Sequence, residues 1–168
     1  PLVQRRDIFE VVERVAFDGE TVIALDMASL DTVIDRIAEA SYDAVAVALL
    51  HAYAAPDHER QIRDRLYQRL PDIDVSISSE VSPKFREYER TNTTVANSYV
   101  KPIVSRYVTH LEEALSGKGF RNEFFIMQSS GGLVSPEFAR NFPIRIVESG
   151  PAAGVLMARD AAAEEGFD

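Results

Sequence analysis

Residues 124–155 read FFIMQSSGGLVSPEFARNFPIRIVESGPAAGV and contain two places where a short apolar run passes into small residues. The first run, FFIM, ends at residue 127 and is followed by Gln128, Ser129, Ser130, Gly131 and Gly132. The second run, IRIV, ends at residue 147 and leads into a segment that contains Ser149, Gly150 and Gly154. Each pattern predicts a buried strand that enters a turn and starts a helix. Such turns expose backbone N–H groups to anionic or small polar ligands, so we expect the chemistry of this chain here.

The composition is that of a globular chain with a real hydrophobic core. Its 168 residues are 46% hydrophobic and 27% charged, which is within the ordinary range for one domain. The net charge of −9 argues against nucleic acid and anionic membranes as partners. No apolar run reaches transmembrane length. The absence of cysteine excludes disulfides and thiolate metal sites and is compatible with the cytoplasm, where we expect the protein.

The two ends of the sequence read like the middle of a longer chain. The first residues, PLVQRRD, contain neither an initiator methionine nor the apolar core of a signal peptide. The last residues, EEGFD, do not form a recognisable end of a domain. We therefore expect a segment of a larger protein.

The first half predicts alternating helices and strands. Asp18-Gly19 lies between two apolar runs and predicts a β-hairpin over residues 7–25. Apolar residues at helical spacing predict a helix over residues 29–40, capped by Ser29 or Asp31. The run DAVAVALL at 43–50 is typical of a strand buried on both faces. A helix from Asp57 to residue 70, with Asp57 as its cap, and a strand at 75–77 follow, which defines an α/β fold.

Three titratable residues could belong to a site in this half. His51 follows a predicted strand end, but with no visible partner a hydrogen-bonded loop histidine is the favoured interpretation. His58 is predicted to be solvated. Glu80 could be a catalytic carboxylate, although a helix cap is favoured because no second carboxylate stands at a defined distance.

Residues 84–115 predict a short polar helical turn at 84–89 and then a long helix. The intervening RTNTT at 90–94 contains Arg90 and Thr93, which either contact a ligand or form an N-cap with a salt-bridged arginine. Pro102 should kink the long helix. The stripe expected to face the core consists of Val95, Tyr99, Ile103, Tyr107, Leu111 and Leu115.

The glycine turns at 128–132 and 149–154 match no standard phosphate loop. No lysine follows the glycines, which excludes a Walker A loop, and GxGxxG is absent. Neither Ser129 nor Ser130 has a histidine at a fixed spacing, so a hydrolase nucleophile is unsupported. Spacing alone leaves a ligand-binding and a packing role for these turns equally open. No metal ligand and no catalytic residue is assigned.

Three long motifs in this order resemble the hydantoinase A/5-oxoprolinase family, which also includes N-methylhydantoinase A-like proteins and acetone carboxylase subunits. They are DVSISSEVSPKFREYERTNTTVANSYVKP at 74–102, FIMQSSGGLVSPEFA at 125–139 and PIRIVESGPAAGV at 143–155. LLHAYAAPDHE at 49–59 is also similar to the family.

The resemblance implies a fold, a chemistry and partners. The implied fold is part of an actin-like ATPase, ribonuclease H-like architecture, with residues 1–90 in the N-terminal α/β region and 91–168 starting the catalytic region. The implied activity is ATP- and magnesium-dependent opening of a cyclic amide, with a ketone carboxylase subunit or a non-catalytic binding module as alternatives. A second, hydantoinase B-like subunit or a homo-oligomer is the implied partner.

The chain also departs from the family pattern. The DxGGTxTD-type phosphate loops of the family are absent from this sequence, so the segment alone is expected to bind no ATP and to be inactive. Asn92 and Ser130 stand where the family pattern has serine and aspartate or asparagine, and the change at Ser130 bears on substrate choice. The resemblance leaves the substrate (hydantoin, 5-oxoproline or ketone) and the oligomeric state undetermined.

Overall fold

A computed structural model describes residues 2–166 and confirms the α/β class. The chain divides into two compact units, Pro1–Pro102 and Ile103–Asp168. The boundary falls inside one long helix. Within the described residues, no helix has both the length and the apolar character needed to cross a bilayer.

A small hairpin opens the first unit. After a 3₁₀ turn at Arg5–Asp7, strand β1 (Arg14–Val15) pairs antiparallel with β2 (Thr21–Ile23). Gly19 has a φ of +91° in the connecting turn, a conformation that favours glycine. The paired residues occupy only the centre of the predicted 7–25 range.

Helix α1 (Met27–Ala40) begins with a side-chain cap. Asp26 accepts hydrogen bonds from the backbone N–H groups of Ala28 and Ser29 and is the N-cap, so the prediction of Ser29 or Asp31 as the cap is wrong. The helix ends at Ser41 in the left-handed conformation. Its buried face consists of Leu30, Val33, Ile34 and Ile37, four of the five apolar residues whose spacing predicts the helix, and the fifth, Ala38, is exposed.

A β-α-β unit follows and forms the core. Strands β3 (Ala44–Val47) and β4 (Asp74–Ile77) are parallel, with Ala44 opposite Asp74. Helix α2 (Asp57–Arg69) connects them and buries Ile62 and Leu66. Pro56 occupies its N-cap position and makes no side-chain cap bond, so Asp57 is the first helical residue and not the cap. The interior is lined by apolar side chains of α1, α2, β3 and β4.

The second half of the first unit contains the largest departure from the sequence prediction. A one-turn helix α3 (Ser78–Val81) precedes α4 (Glu87–Gly117), which contains Pro102. Residues 84–86 are not helical, and 90–94 lie within the first turns of α4 and do not form its cap. The predicted core stripe is wrong in its centre, because Tyr99, Ile103 and Tyr107 are exposed. The buried side chains of α4 are mostly polar: Arg90, Thr94, Asn97, Ser98, Lys101 and Val108.

The second unit contains short elements after α4. Strands β5 (Ile126–Met127) and β6 (Leu133–Val134) form an antiparallel hairpin, and α5 (Pro136–Asn141) is capped by Ser135. A 3₁₀ turn at Pro143–Arg145 leads to α6 (Ser149–Glu164). The predicted strand at 144–147 is therefore wrong, and β5 leads into a hairpin turn and not into a helix.

Candidate functional site

The loop between β5 and β6 is a tight turn closed by its own backbone. The N–H of Gln128 donates to the carbonyl of Gly132 at 2.6 Å, and the N–H of Gly131 donates to the carbonyl of Gln128 at 3.0 Å. Gly131 has a φ of +88°, which requires glycine or strain. Ser129, Ser130 and Gly132 are exposed on the turn, and Gln128 and Gly131 are half-buried. Both serines are therefore accessible to solvent on a turn whose backbone is fixed by hydrogen bonds.

Ser129 joins this turn to the segment that starts α6. Its N–H donates to the carbonyl of Arg145 at 2.8 Å. Its hydroxyl oxygen accepts the N–H of Glu148, which is the N-cap residue of α6, at 3.1 Å. The two small-residue turns thus converge within the second unit, through direct hydrogen bonds and not through a shared edge of a parallel sheet.

The first turn of α6 is open at its glycines. Ser149 begins the helix, and Pro151 stands in its first turn, where a missing N–H costs no helical hydrogen bond. A Cβ atom placed on Gly150 or Gly154 would meet no heavy atom within 4 Å. These glycines therefore do not serve close packing within the described residues, and they leave room for a group to approach the helix backbone.

Arg90 has a different environment from these turns. It lies in the first unit, is 1% exposed and donates through all three guanidinium nitrogens. Nε donates to the Ser78 hydroxyl at 3.1 Å, and the two terminal nitrogens donate to the carbonyls of Lys84 and Leu49 at 2.8 and 2.7 Å. The guanidinium also lies 5.6 Å from the centroid of the Tyr53 ring. These acceptors assign Arg90 to the support of the fold.

Thr93 is likewise engaged locally. Its hydroxyl donates to the carbonyl of Glu89 at 2.7 Å, the usual bond of a threonine to the preceding helical turn. One interpretation of the sequence was that residues 90–94 form the N-cap of α4. Neither Arg90 nor Thr93 does so, because both lie inside the helix.

Glu59, which the sequence motifs did not single out, shares the Ser78 hydroxyl with Arg90 as a hydrogen-bond partner. Glu59 is fully buried on α2 and accepts the N–H groups of Leu49 and Ser79 at 2.9 and 2.8 Å. It also accepts the hydroxyl of Ser78 at 2.6 Å, and Ser78 in turn accepts from Arg90. A buried carboxylate is stabilised by such hydrogen bonds. Spacing alone gives no signal of this contact.

The two histidines and Glu80 behave as structural groups. His58 is buried, and its Nδ1 lies 2.7 Å from Glu13 Oε2, so the prediction of a solvated side chain is wrong. His51 has a φ of 60°, and its Nδ1 lies 3.5 Å from the Tyr53 hydroxyl, which agrees with the favoured loop interpretation. Glu80 accepts from Arg63 at 2.8 Å and does not cap a helix.

Because the N–H groups of Gln128, Ser129, Gly131 and Glu148 already donate within the protein, a ligand could be bound by the Ser130 hydroxyl and by the first turn of α6. The start of a 16-residue helix carries partial positive charge that favours an anion. Within residues 2–166, no group of three or more histidine, aspartate or glutamate side chains is arranged to hold a metal ion. The start of α6 and the serine hydroxyls can orient a polar or anionic group.

Comparison with known proteins defines the class. The family models "Hydantoinase/oxoprolinase N-terminal region" and "Hydantoinase/oxoprolinase" match residues 1–70 and 90–168. The chain belongs to the hydantoinase/oxoprolinase family.

Individual relatives are similar over nearly all of the chain. An uncharacterised protein of Methanocaldococcus jannaschii is 40% identical over 93% of this chain and 23% of its own length. The acetone carboxylase beta subunit of Xanthobacter autotrophicus is 32% identical over 95% of this chain and 22% of its own. The crystal structure of the ATP-dependent caprolactamase from Pseudomonas jessenii superposes with a TM-score of 0.84 at 31% identity. That superposition covers 94% of this chain and 23% of the caprolactamase, so the chain spans about a quarter of its relatives' length.

Proposed function

We propose that these 168 residues are a segment of a longer enzyme that uses ATP to activate a cyclic amide before its ring is opened. The observation that carries the proposal is the similarity to the ATP-dependent caprolactamase, at a TM-score of 0.84 and 31% identity. The two family models, which match residues 1–70 and 90–168, support it. The proposed architecture of the longer enzyme is that of an actin-like ATPase, and its proposed location is the cytoplasm.

The proposed reaction transfers the γ-phosphoryl group of ATP to the carbonyl oxygen of a lactam or imide. The bond from the γ-phosphorus to its bridging oxygen breaks, and ADP leaves. Water then adds to the activated carbon and the ring C–N bond breaks, with the ring nitrogen taking up a proton and the carbonyl carbon left as an acyl phosphate. A second water hydrolyses the acyl phosphate to the carboxylate and inorganic phosphate. Phosphorylation makes the amide carbon far more electrophilic toward water, and this explains the need for ATP. Positioning and charge stabilisation are what the protein supplies in such transfers.

We assign the convergent turns of the second unit to ligand binding in the longer enzyme. The exposed Ser129 and Ser130 and the open backbone at Gly150 fit a phosphate or amide group. Gln128, Gly131, Gly132, Ser149 and Gly154 complete the proposed surface. Magnesium is the expected companion of ATP, but the described residues contain no carboxylate cluster for it, so we assign it to no residue of this segment.

The segment alone is proposed to be inactive, because the phosphate loops expected of the family are not in it. A second subunit, or a second copy of the longer chain, is the proposed partner. The naming of a relative as the beta subunit of acetone carboxylase supports a multi-subunit enzyme.

A ketone carboxylase subunit is the second candidate. The acetone carboxylase beta subunit matches 95% of this chain, a coverage similar to that of the caprolactamase. In this reading the phosphoryl acceptor would be an enolate oxygen. A binding module without catalysis on the same scaffold is the remaining alternative.

Phosphate release by the longer protein distinguishes these candidates. We expect ATP hydrolysis with magnesium to be stimulated by a lactam, hydantoin or 5-oxoproline and not by acetone with bicarbonate. Stimulation by the ketone alone would support the carboxylase, and no release above a buffer blank would support the binding module. Release by the 168 residues alone would contradict the proposed inactivity.

A pair of glycine substitutions tests the assigned surface. Gly150→Val adds a side chain at the open start of α6 and is expected to lower kcat/KM for ATP at least about tenfold by obstructing the ligand. Gly117→Val is the control, because Gly117 at the end of α4 also has open space and no positive φ. Equal activity of the two variants would remove the assignment.

A further inference from the structure

Ser129 holds the start of α6 with a bond that the helix cannot make for itself. Its hydroxyl oxygen accepts the N–H of Glu148, the N-cap residue, at 3.1 Å, and its own N–H donates to the carbonyl of Arg145 at 2.8 Å. In a capping box, the side chain of the third helical residue accepts the N–H of the N-cap residue. That third residue is Pro151 here, which has no acceptor in its side chain. The hydroxyl that replaces it comes from the β5–β6 turn.

The main-chain donors of the β5–β6 turn divide into a used and an open group. The N–H groups of Gln128, Ser129 and Gly131 donate to carbonyls of the protein. In the described part of the chain, the N–H groups of Ser130 and Gly132 have no hydrogen-bond partner. Two main-chain donors of this turn are therefore open.

The first turn of α6 contains a single open donor. The N–H of Ser149 donates to the carbonyl of Ile146 at 3.2 Å, and Pro151 has no N–H. Gly150 has the remaining N–H, for which residues 2–166 provide no acceptor. A Cβ atom placed on Gly150 would meet no heavy atom within 4 Å, so no side chain covers the turn on that side.

We propose that Ser129 is a positioning residue of the assigned ligand surface. Through Glu148 it fixes the start of α6 against the β5–β6 turn and so keeps the open N–H groups of Ser130, Gly132 and Gly150 in one arrangement. Such donors suit an acceptor oxygen, which a phosphate of ATP and the carbonyl of a cyclic amide both offer. This role rests on the proposed function, because it affects binding only if a ligand occupies these turns.

Amide hydrogen exchange of the ligand-free 168-residue chain tests the positioning bond without activity. Ser129→Ala removes the acceptor, and the Glu148 amide is expected to exchange at least about tenfold faster than in the wild type. Ser129→Thr retains a hydroxyl and should keep the slow exchange. An unchanged Glu148 amide in the alanine variant would overturn the role. A longer protein that hydrolyses no ATP would refute the proposed function and leave this bond intact.

Ligand affinity in the longer protein tests the consequence of the bond. Titration calorimetry gives the Kd of a non-hydrolysable ATP analogue with magnesium and, separately, of caprolactam. Ser129→Ala is expected to raise the Kd of the ligand bound at these turns about tenfold, and Ser129→Thr should stay within about threefold of the wild type. A rise for the analogue alone would assign the turns to a phosphate, and a rise for caprolactam alone to the amide. No rise for either ligand would overturn the positioning role.

Ser135→Ala is the matched control for lost stability. The Ser135 hydroxyl accepts the N–H of Phe138 at 3.2 Å as the cap of α5, in the same unit but in neither turn. Each alanine variant loses one bond from an amide to a hydroxyl, so the two are expected to melt within about 5 °C of each other. Only Ser129→Ala should weaken binding. An equal rise of Kd in Ser135→Ala would contradict a specific role of Ser129.

A double substitution shows whether Ser129 acts through α6. If the hydroxyl positions the N–H of Gly150, its removal should raise Kd less than about threefold once Gly150→Val obstructs that turn. A tenfold effect that persists in the double variant would mean that the Ser129 hydroxyl contacts the ligand directly, and would overturn the positioning role.

Discussion

The two units use the same kinds of element but bury very different amounts of side chain. In the first unit, helices and strands enclose a continuous apolar cluster and a buried polar network around Glu59 and Arg90. In residues 103–166, only Val108, Ala139 and Pro143 are buried, and α6 buries none of its residues. Polar residues of the first unit therefore support the fold. The small residues of the second unit remain open to a ligand or to more of the polypeptide.

The largest effect should come from the buried carboxylate of the first unit. Glu59→Ala leaves three donors, the N–H groups of Leu49 and Ser79 and the Ser78 hydroxyl, without their acceptor in the interior, and we expect a loss of about 3–5 kcal/mol in the free energy of unfolding. Glu80→Ala is the matched control, because Glu80 is exposed and paired with Arg63, and it should cost about 0–1 kcal/mol. Urea unfolding followed by circular dichroism measures both. Equal losses in the two variants would show that the buried network contributes no more to stability than an exposed ion pair.

The next largest effect should come from shortening an apolar side chain, which is expected to cost much more stability in the first unit than in the second. Leu66→Ala removes a 1% exposed side chain from the core and is expected to cost about 2–5 kcal/mol. Val155→Ala on α6 removes a 70% exposed side chain and should change the stability of the chain by only about 0.5 kcal/mol. A large loss from Val155→Ala in the 168-residue chain would mean that the face of α6 is already covered.

The pH dependence of stability tests the buried Lys101. Burial lowers its pKa in the folded state below the ordinary 10.5, so the unfolded state binds more protons between these two values. The stability of the wild type relative to Lys101→Met should therefore rise as the pH approaches 10.5. Tyr42 and Tyr67 have raised pKa values in the folded state and therefore make stability fall as the pH rises. Both tyrosines are present in the wild type and in the variant, so their contribution cancels in the difference. A flat difference between pH 7 and 10.5 would indicate that Lys101 is solvated.

The smallest effects concern the glycines of the second unit. Gly131→Ala places a side chain at a φ of +88° and should cost about 1 kcal/mol. Gly154→Ala is expected to stabilise α6 by about 0.5–1 kcal/mol, because the glycine is helical and has open space. Thermal melts of the two variants should shift in opposite directions. A loss of stability in Gly154→Ala would show that this glycine packs against something.

Sequence patterns predicted the first unit well where apolar residues decide the structure. The helical spacing of Leu30, Ile34 and Ile37 predicts α1, and the run at 43–50 contains β3, because burial of apolar side chains is the signal these patterns contain. The expected burial on both faces is wrong, because β3 covers only residues 44–47 and only Val47 is buried. The same signal failed on α4, whose buried face is formed by Arg90, Asn97 and Lys101. The partners of these polar groups come from distant parts of the chain and cannot be inferred from spacing.

The candidate site was only partly predictable. Small residues at 128–132 and 149–154 indicated turns, and the structure joins them through Ser129. The run at 144–147 predicts a strand, but so short an apolar-rich run does not distinguish a strand from the 3₁₀ turn that the structure contains at Pro143–Arg145. The ligand-binding role of these turns and the domain boundary at residue 90 remain predictions.

Amide hydrogen exchange of the longer protein, with and without magnesium and a non-hydrolysable ATP analogue, tests the contrast between the two units most directly. The account predicts that the nucleotide slows exchange at residues 129–132 and 149–154 and leaves residues 90–94 unchanged. Slower exchange at 90–94, with no change at either turn of the second unit, would contradict it.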